Sequence, residues 1–237
     1  MWWSRLPSQC VICQQWPSQR ICQDCLAMPP QLERCPLCAL PHGNGESCPF
    51  PLAEQDLPWS ACHASLAYQA PLAPLIHRLK FNGEMRLIHA LVDWMISRPP
   101  AWLDVVQTAA IVPIPATPNS LQARGFNPSA ELARGLKAGL KLKGPVWHAL
   151  KRLDTSRRQS RLNRDQRWSN MSQAFVPQAV DARIKRLTRP QACLLIDDVM
   201  TTGATLLHAA QSLKQLGHGP IHVWVLARTP SPPNEAP

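Results

Sequence analysis

The stretch Leu194-Leu195-Ile196-Asp197-Asp198-Val199-Met200-Thr201-Thr202-Gly203-Ala204-Thr205 runs three apolar residues into two adjacent carboxylates and then a small, hydroxyl-rich turn. A continuous apolar run suits a central parallel strand covered on both faces, and open α/β sheets bind ligands at the carboxyl ends of such strands. Gly203 permits backbone angles that a larger residue resists. Successive amides over 201–205 can form an anion nest, backed by the positive end of the helix expected over 206–216. The hydroxyls of Thr201, Thr202 and Thr205 add donors, so a dianionic phosphate fits there. Asp197 and Asp198 would repel that phosphate. They suit the vicinal hydroxyls of a ribose, or Mg²⁺ approached through water. A ribose with a terminal phosphate satisfies both halves of the segment; the plain alternative is a buried strand, two turn acids and a capped helix.

All twelve of these residues resemble the phosphoribosyl diphosphate (PRPP) motif of type I phosphoribosyltransferases. Other blocks extend the resemblance: Leu75-Ile76-His77-Arg78-Leu79-Lys80-Phe81, Ile111-Val112-Pro113-Ile114-Pro115, Arg124-Gly125-Phe126-Asn127, and Gln159, Leu162, Arg167, Asn170, Ala174 and Phe175. Together they are similar to the ComF/GntX family, which joins an N-terminal double zinc ribbon to a type I phosphoribosyltransferase domain. The similarity runs from Cys10 to about residue 228. Val112-Pro113-Ile114-Pro115 should end a strand and stiffen the following loop, because each Pro fixes its own φ and restricts its predecessor. The resemblance implies that this loop faces pyrophosphate. Arg124 would then meet that group with planar, multi-donor geometry; a surface cation or a helix-capping contact is the alternative. Pro128 departs from the family's usual Gln, which removes a polar contact but suits the first turn of a helix expected over 129–140.

Residues 151–167 hold seven Lys or Arg against two Asp. Arg157 and Arg158 are followed by Arg161, Arg164 and Arg167, a cationic stripe if helical. The resemblance implies a mobile loop or hood beside the active site. A solvated helix face is the bland alternative, although clustered charge of one sign favours an anionic partner.

Cys10/Cys13, Cys22/Cys25 and Cys35/Cys38 are each Cys-x-x-Cys, and Cys48 follows alone. Two such pairs complete a tetrahedral thiolate site for Zn²⁺. The economical arrangement is one site of Cys10, Cys13, Cys22 and Cys25, and a second of Cys35, Cys38 and Cys48. Pro51 stands where the family carries an eighth cysteine. His42 could complete the second site, that metal could be lost, or Cys10/Cys13 could pair with Cys35/Cys38 instead. The residues after Met1 lack an apolar signal core, so a cytoplasmic chain with reduced thiols is expected, which favours metal over disulfides. Cys62 and Cys193 lie outside the knuckles in apolar stretches and read as core residues. A segment of some fifty residues has too little core to fold unaided, so metal should stabilise it. Trp16 is expected to pack that sparse core, while Trp2 and Trp3 are undecided.

The chain has 237 residues, 45% apolar, and a formal net charge of +10. Length suits one medium domain plus a small appendage, and no apolar run is long enough to span a membrane. The 25 prolines gather at element ends, between 49 and 58, and in the tail. The boundaries that follow are a cysteine-rich zinc-ribbon module at 1–51, a phosphoribosyltransferase-like domain at 59–229 and a disordered tail at 230–237. Expected elements are strands over 61–68, 109–114, 146–153, 194–196 and 221–226, and helices over 72–80, 85–97, 129–140, 159–168 and 206–216. Their alternation gives an α/β fold: a parallel sheet flanked by helices, type I phosphoribosyltransferase-like by the resemblance.

The resemblance implies a PRPP-binding protein with Asp197 and Asp198 as catalytic candidates. Its ligand contacts would be Asp197, Asp198, Thr201, Thr202, Gly203, Ala204, Thr205 and Arg124, with Mg²⁺ accompanying PRPP. It further implies a link to DNA uptake, natural competence or the use of external DNA. The excess positive charge and the tryptophans equally suit single-stranded DNA, for which Arg157, Arg158, Arg161 and Arg164 are the anion candidates. An import factor of that kind, or a PRPP sensor without turnover, stands as the alternative to phosphoribosyl transfer. Acceptor and oligomeric state are not encoded in these motifs.

Overall fold

The computed structural model describes residues 8–16, 18, 20–28, 33–41, 48, 57–152, 175–177 and 191–230. A four-stranded parallel sheet runs β1–β6–β5–β2, with β1 at Ala61–Ala67, β2 at Ala110–Pro113, β5 at Cys193–Met200 and β6 at Ile221–Arg228. The residues Cys193 to Ile196 of β5 and Val223 to Ala227 of β6 are apolar on both faces, as burial between helix layers requires. Helices α2 (Leu72–Asn82), α3 (Leu87–Ser97) and α5 (Pro128–Gly139) supply one layer. Leu91, Trp94, Leu132 and Leu136 from that layer share a core with Leu194, Ile196 and Trp224. Helix α6 (Ala204–Gln215) covers the other face, where Leu206, Ala210 and Leu213 pack with Leu195, Val223 and Val225. Beside β2, a small antiparallel pair joins β3 (Leu150–Arg152) to β4 (Phe175–Pro177).

The cysteine knuckles pack against the sheet and share its cores. Cys10, Ile21 and Cys25 belong to the core on the α3/α5 side, whereas Cys35, Cys38 and Leu40 belong to the core on the α6 side. The two knuckles therefore straddle the edge of the sheet. Polar contacts fix each one: Arg20 pairs with Asp93 of α3 at 2.9 Å, and the Cys62 amide of β1 donates to Pro36 O at 2.6 Å. Trp59 Nε1 donates to Leu37 O at 2.8 Å. Segments this short cannot bury enough apolar surface among themselves, so they take their cover from the main sheet. Trp16, expected to pack the knuckle core, instead stands 60% exposed.

Several local features differ from expectation. Strand β5 continues beyond Ile196 through both acids to Met200, because β6 extends to Arg228 and keeps supplying ladder partners. The strand expected over 146–153 is split into a single parallel bridge at Val146 and the short β3. An unanticipated helix, α4 (Pro118–Arg124), starts at Thr117, whose side chain accepts from Ser120 N at 3.2 Å, and ends at Gly125 with φ 78°. The basic helix expected over 159–168, the tail from 231, and His42, Pro51, Trp2 and Trp3 lie outside the described residues. No helix among the described residues is long and apolar enough to cross a membrane.

Candidate functional site

A cavity of about 240 Å³ opens at the carboxyl end of β2 and β5. It brings Asp197, Asp198, Thr205 and Arg124 together with three side chains that sequence reasoning had not selected: Lys80, Ser129 and Arg152. Strict strand alternation would send adjacent acids to opposite faces. Here each acid's Oδ1 turns back along the strand to accept from the next amide: Asp198 N donates to Asp197 Oδ1 at 2.9 Å, and Val199 N donates to Asp198 Oδ1 at 2.7 Å. Both carboxylates thus line one cavity. Ser129, in the first turn of α5, donates to Asp197 Oδ1 at 2.8 Å. Asp197 Oδ2 has no hydrogen-bond partner among the described residues. Asp198 Oδ2 meets Lys80 Nζ at 2.8 Å.

The two acids are only 9% and 8% exposed, yet each reaches the cavity wall. Burial, together with the neighbouring charge of Asp198, raises the Asp197 carboxyl to about 7. Ser129, the Asp198 amide and Lys80 pull it the other way. The site can therefore present Asp197 in either protonation state near neutrality.

The loop that follows β2 is held by its own sequence. β2 ends at Pro113, and Asn127 Nδ2 donates back to Ile114 O at 2.9 Å while its Oδ1 caps α5 by accepting from Ser129 N at 3.2 Å. Pro128 occupies the first turn of α5, where a missing N–H costs nothing. Arg124 lies at the end of α4 with its guanidinium 5.8 Å from the Phe81 ring centroid. Arg152 projects from β3 and stacks at 5.8 Å on Phe175.

Below the acids, Gly203 adopts φ 77° and starts α6. Among the described residues, the amides of Thr201, Thr202, Gly203, Thr205 and Leu206 find no protein acceptor, whereas Ala204 N donates to Thr202 Oγ1 at 3.4 Å. Five unpaired donors thus lie in and next to a helix N-terminus, a place suited to an oxyanion. Of the loop residues, only Thr205 reaches the wall of the cavity; Thr201, Thr202, Gly203 and Ala204 form the adjoining turn.

The first cysteine set offers all four thiolates of a tetrahedral centre, and the second offers three. The sulfurs of Cys10, Cys13, Cys22 and Cys25 lie within 4.8 Å of one another, as do those of Cys35, Cys38 and Cys48. Cys13 and Cys22 sulfurs are 3.6 Å apart, and Cys48 stands 3.4 Å from Cys35 and 3.5 Å from Cys38. Corners of a zinc–thiolate tetrahedron are about 3.8 Å apart, while a disulfide needs about 2.05 Å. Spacing therefore groups the cysteines as a set of four and a set of three able to hold a structural metal such as zinc. Burial pushes the Cys10 thiol up, but amide donors from Cys22, Cys13 and Ile12 outweigh it and bring it down to about 6. Cys62 and Cys193 are buried in strands, and burial raises both thiols to about 12.

No family model matches the chain. DNA utilization protein YhgH of Escherichia coli (strain K12) is 29% identical over 202 residues, covering 82% of this chain and 84% of that protein. Competence protein F of Haemophilus influenzae is 28% identical over 165 residues (68% and 69%). Competence protein ComFC of Bacillus subtilis is 25% identical over 209 residues (85% and 80%). At 25–29% identity the chain is similar to these DNA utilization and competence proteins of the ComF type. Arg157, Arg158, Arg161 and Arg164 fall outside the described residues. Lys80 had a sequence signal, since it sits in the Leu-Lys-Phe block. Ser129 had none: only the packing of α5 on β5 brings its hydroxyl to Asp197.

Proposed function

We propose that this protein is of the ComF type, binds PRPP and serves in the uptake or use of DNA. The observation that carries the ligand is the cavity in which two carboxylates, three cations and the amino end of α6 meet. In this reading the amides over 201–206 and the Thr205 hydroxyl take the 5′-phosphate. Asp197 and Asp198 accept the 2′ and 3′ hydroxyls, with Asp198 turning from Lys80 to do so. Lys80, Arg124 and Arg152 then face the pyrophosphate. Mg²⁺ suits Asp197 Oδ2, which has no partner among the described residues, and substrate oxygens, and would supply neutralisation of the leaving pyrophosphate.

Transfer would form a bond from an acceptor to C1′ as the C1′–O bond breaks, its electron pair departing on pyrophosphate. The protein's part is positioning and charge stabilisation. Calorimetric titration with Mg-PRPP tests the assignment: the wild type should bind, and a folded Asp197→Asn/Asp198→Asn double variant should lose most of that affinity. Equal affinity in the two proteins refutes it. Pyrophosphate release with a panel of nucleobases separates transfer from sensing without turnover.

The DNA role rests on the names of the relatives, two competence proteins and a DNA utilization protein, and on the net charge of +10. We assign single-stranded DNA to the basic segment with Arg157, Arg158, Arg161 and Arg164, in a cytoplasmic setting. Binding should weaken steeply with salt and fall on charge reversal of Arg157, Arg158 and Arg161. Salt-insensitive binding counts against it.

A further inference from the structure

Arg228 ends β6 and is 5% exposed. Its Nε donates to Cys38 O at 3.0 Å, and its Nη1 donates to Met200 O at 3.0 Å and to Thr201 O. One guanidinium thus joins the second cysteine knuckle to the residues that open the phosphate turn. The join is reinforced from both sides. Thr229 N donates to the same Met200 O at 3.0 Å, and Cys62, next to the knuckle through its bond to Pro36 O, places its thiol 3.8 Å from Met200 Sδ.

All of these acceptors are neutral. Among the described residues no carboxylate lies within ion-pair distance of Arg228. A second guanidinium, Arg34, converges on the same knuckle, donating to Ala39 O at 3.0 Å. Burying a cation such as Arg228 without a counter-charge is costly, and the half-buried charge of Arg34 adds to that cost. The available anionic group is the cysteine set itself: three thiolates around one divalent ion carry a net charge of about −1. The first set has a different environment: Cys10 and Cys25 belong to the core on the other side of the sheet from Met200 and Leu206.

We propose that Arg228 is a positioning residue that makes the phosphate turn depend on the metal at Cys35, Cys38 and Cys48. The charged metal–thiolate centre holds the guanidinium. The guanidinium in turn fixes the carbonyls of Met200 and Thr201, so the amides that follow are already aimed. The ligand part of this inference rests on the PRPP reading; the mechanical part does not.

The test uses the full zinc-loaded chain and three variants: Arg228→Gln, Cys48→Ser and Cys13→Ser. Metal content and hydrogen exchange are measured on each, with protection of β5 and β6 interiors as the check that the chain is folded. Arg228→Gln should release the second metal about tenfold more readily, in line with other partners that orient metal ligands. It should also speed exchange of the bonded amides that frame the turn, Thr229 N on Met200 O and Leu207 N on Gly203 O, by on the order of tenfold. Cys48→Ser should lose that metal and give the same faster exchange; Cys13→Ser should affect the first metal and leave those two amides protected. Unchanged exchange at Thr229 and Leu207 in folded Arg228→Gln or Cys48→Ser overturns the proposal, and so does an equal loss of protection in Cys13→Ser. Mg-PRPP affinity is read in parallel. If the wild type does not bind it, the PRPP reading fails while the exchange comparison still decides the coupling.

Discussion

Lys80 Nζ lies 2.8 Å from Asp198 Oδ2, tying the last turn of α2 to the acid pair of β5. Both side chains are largely covered, at 22% and 12% exposure. The pair neutralises one of two adjacent carboxylates and leaves a lysine poised over the cavity. Lys80→Met should lower stability by about 1–3 kcal/mol, the cost of leaving a mostly buried charge without its hydrogen-bonded partner. It should also weaken Mg-PRPP binding by more than that stability loss explains, since a cation facing pyrophosphate is removed. Urea unfolding and calorimetry measure the two effects separately.

Asp197 gives the site a pH dependence. Its carboxyl is raised to about 7, first by burial and then by Asp198. The folded chain therefore keeps a proton that the unfolded chain releases near the ordinary value of about 3.9. Between these values the folded state binds more protons, so this group's contribution to stability falls as pH rises from about 4 to about 7. Binding of a Mg²⁺ complex needs the ionised form, so affinity should rise through pH 7. Ser129→Ala removes a donor that favours the ionised form and should move that midpoint upward. A titration series across this range in both proteins checks it.

Gly203 holds φ 77° at the start of α6. An L side chain in that conformation costs about 1–2 kcal/mol, and relief of the strain would re-aim the amides after it. Gly203→Val should lower the melting temperature by only a few degrees yet abolish anion binding. Calorimetry with Mg-PRPP, on protein shown folded by circular dichroism, tests the separation.

Cys10 is 1% exposed and shares the α3 core with Cys25. Cys10→Ser should drop metal content by one equivalent and destabilise the chain, because the metal free energy is part of the folding free energy. Cys62→Ala, which removes a buried thiol outside both sets, should leave metal content unchanged. Elemental analysis beside thermal melts distinguishes the two.

The order of apolar, acidic and hydroxyl residues over 194–205 made the strand, the acid pair and the turn legible in the chain, because each depends on local chemistry at short spacing. The Cys-x-x-Cys repeats were legible for the same reason, and so was the proline-rich end of β2. Tertiary structure alone decided what these pieces meet. It carried β5 past the acids to Met200, since β6 is long enough to keep pairing with it. It placed the knuckles on opposite faces of the sheet, where they find apolar cover they cannot supply themselves. It also brought Ser129 to Asp197, Lys80 to Asp198 and Arg228 to Cys38 across separations of 68, 118 and 190 residues (198 − 80 = 118). Such partners are chosen by packing of distant elements, and no local pattern records them.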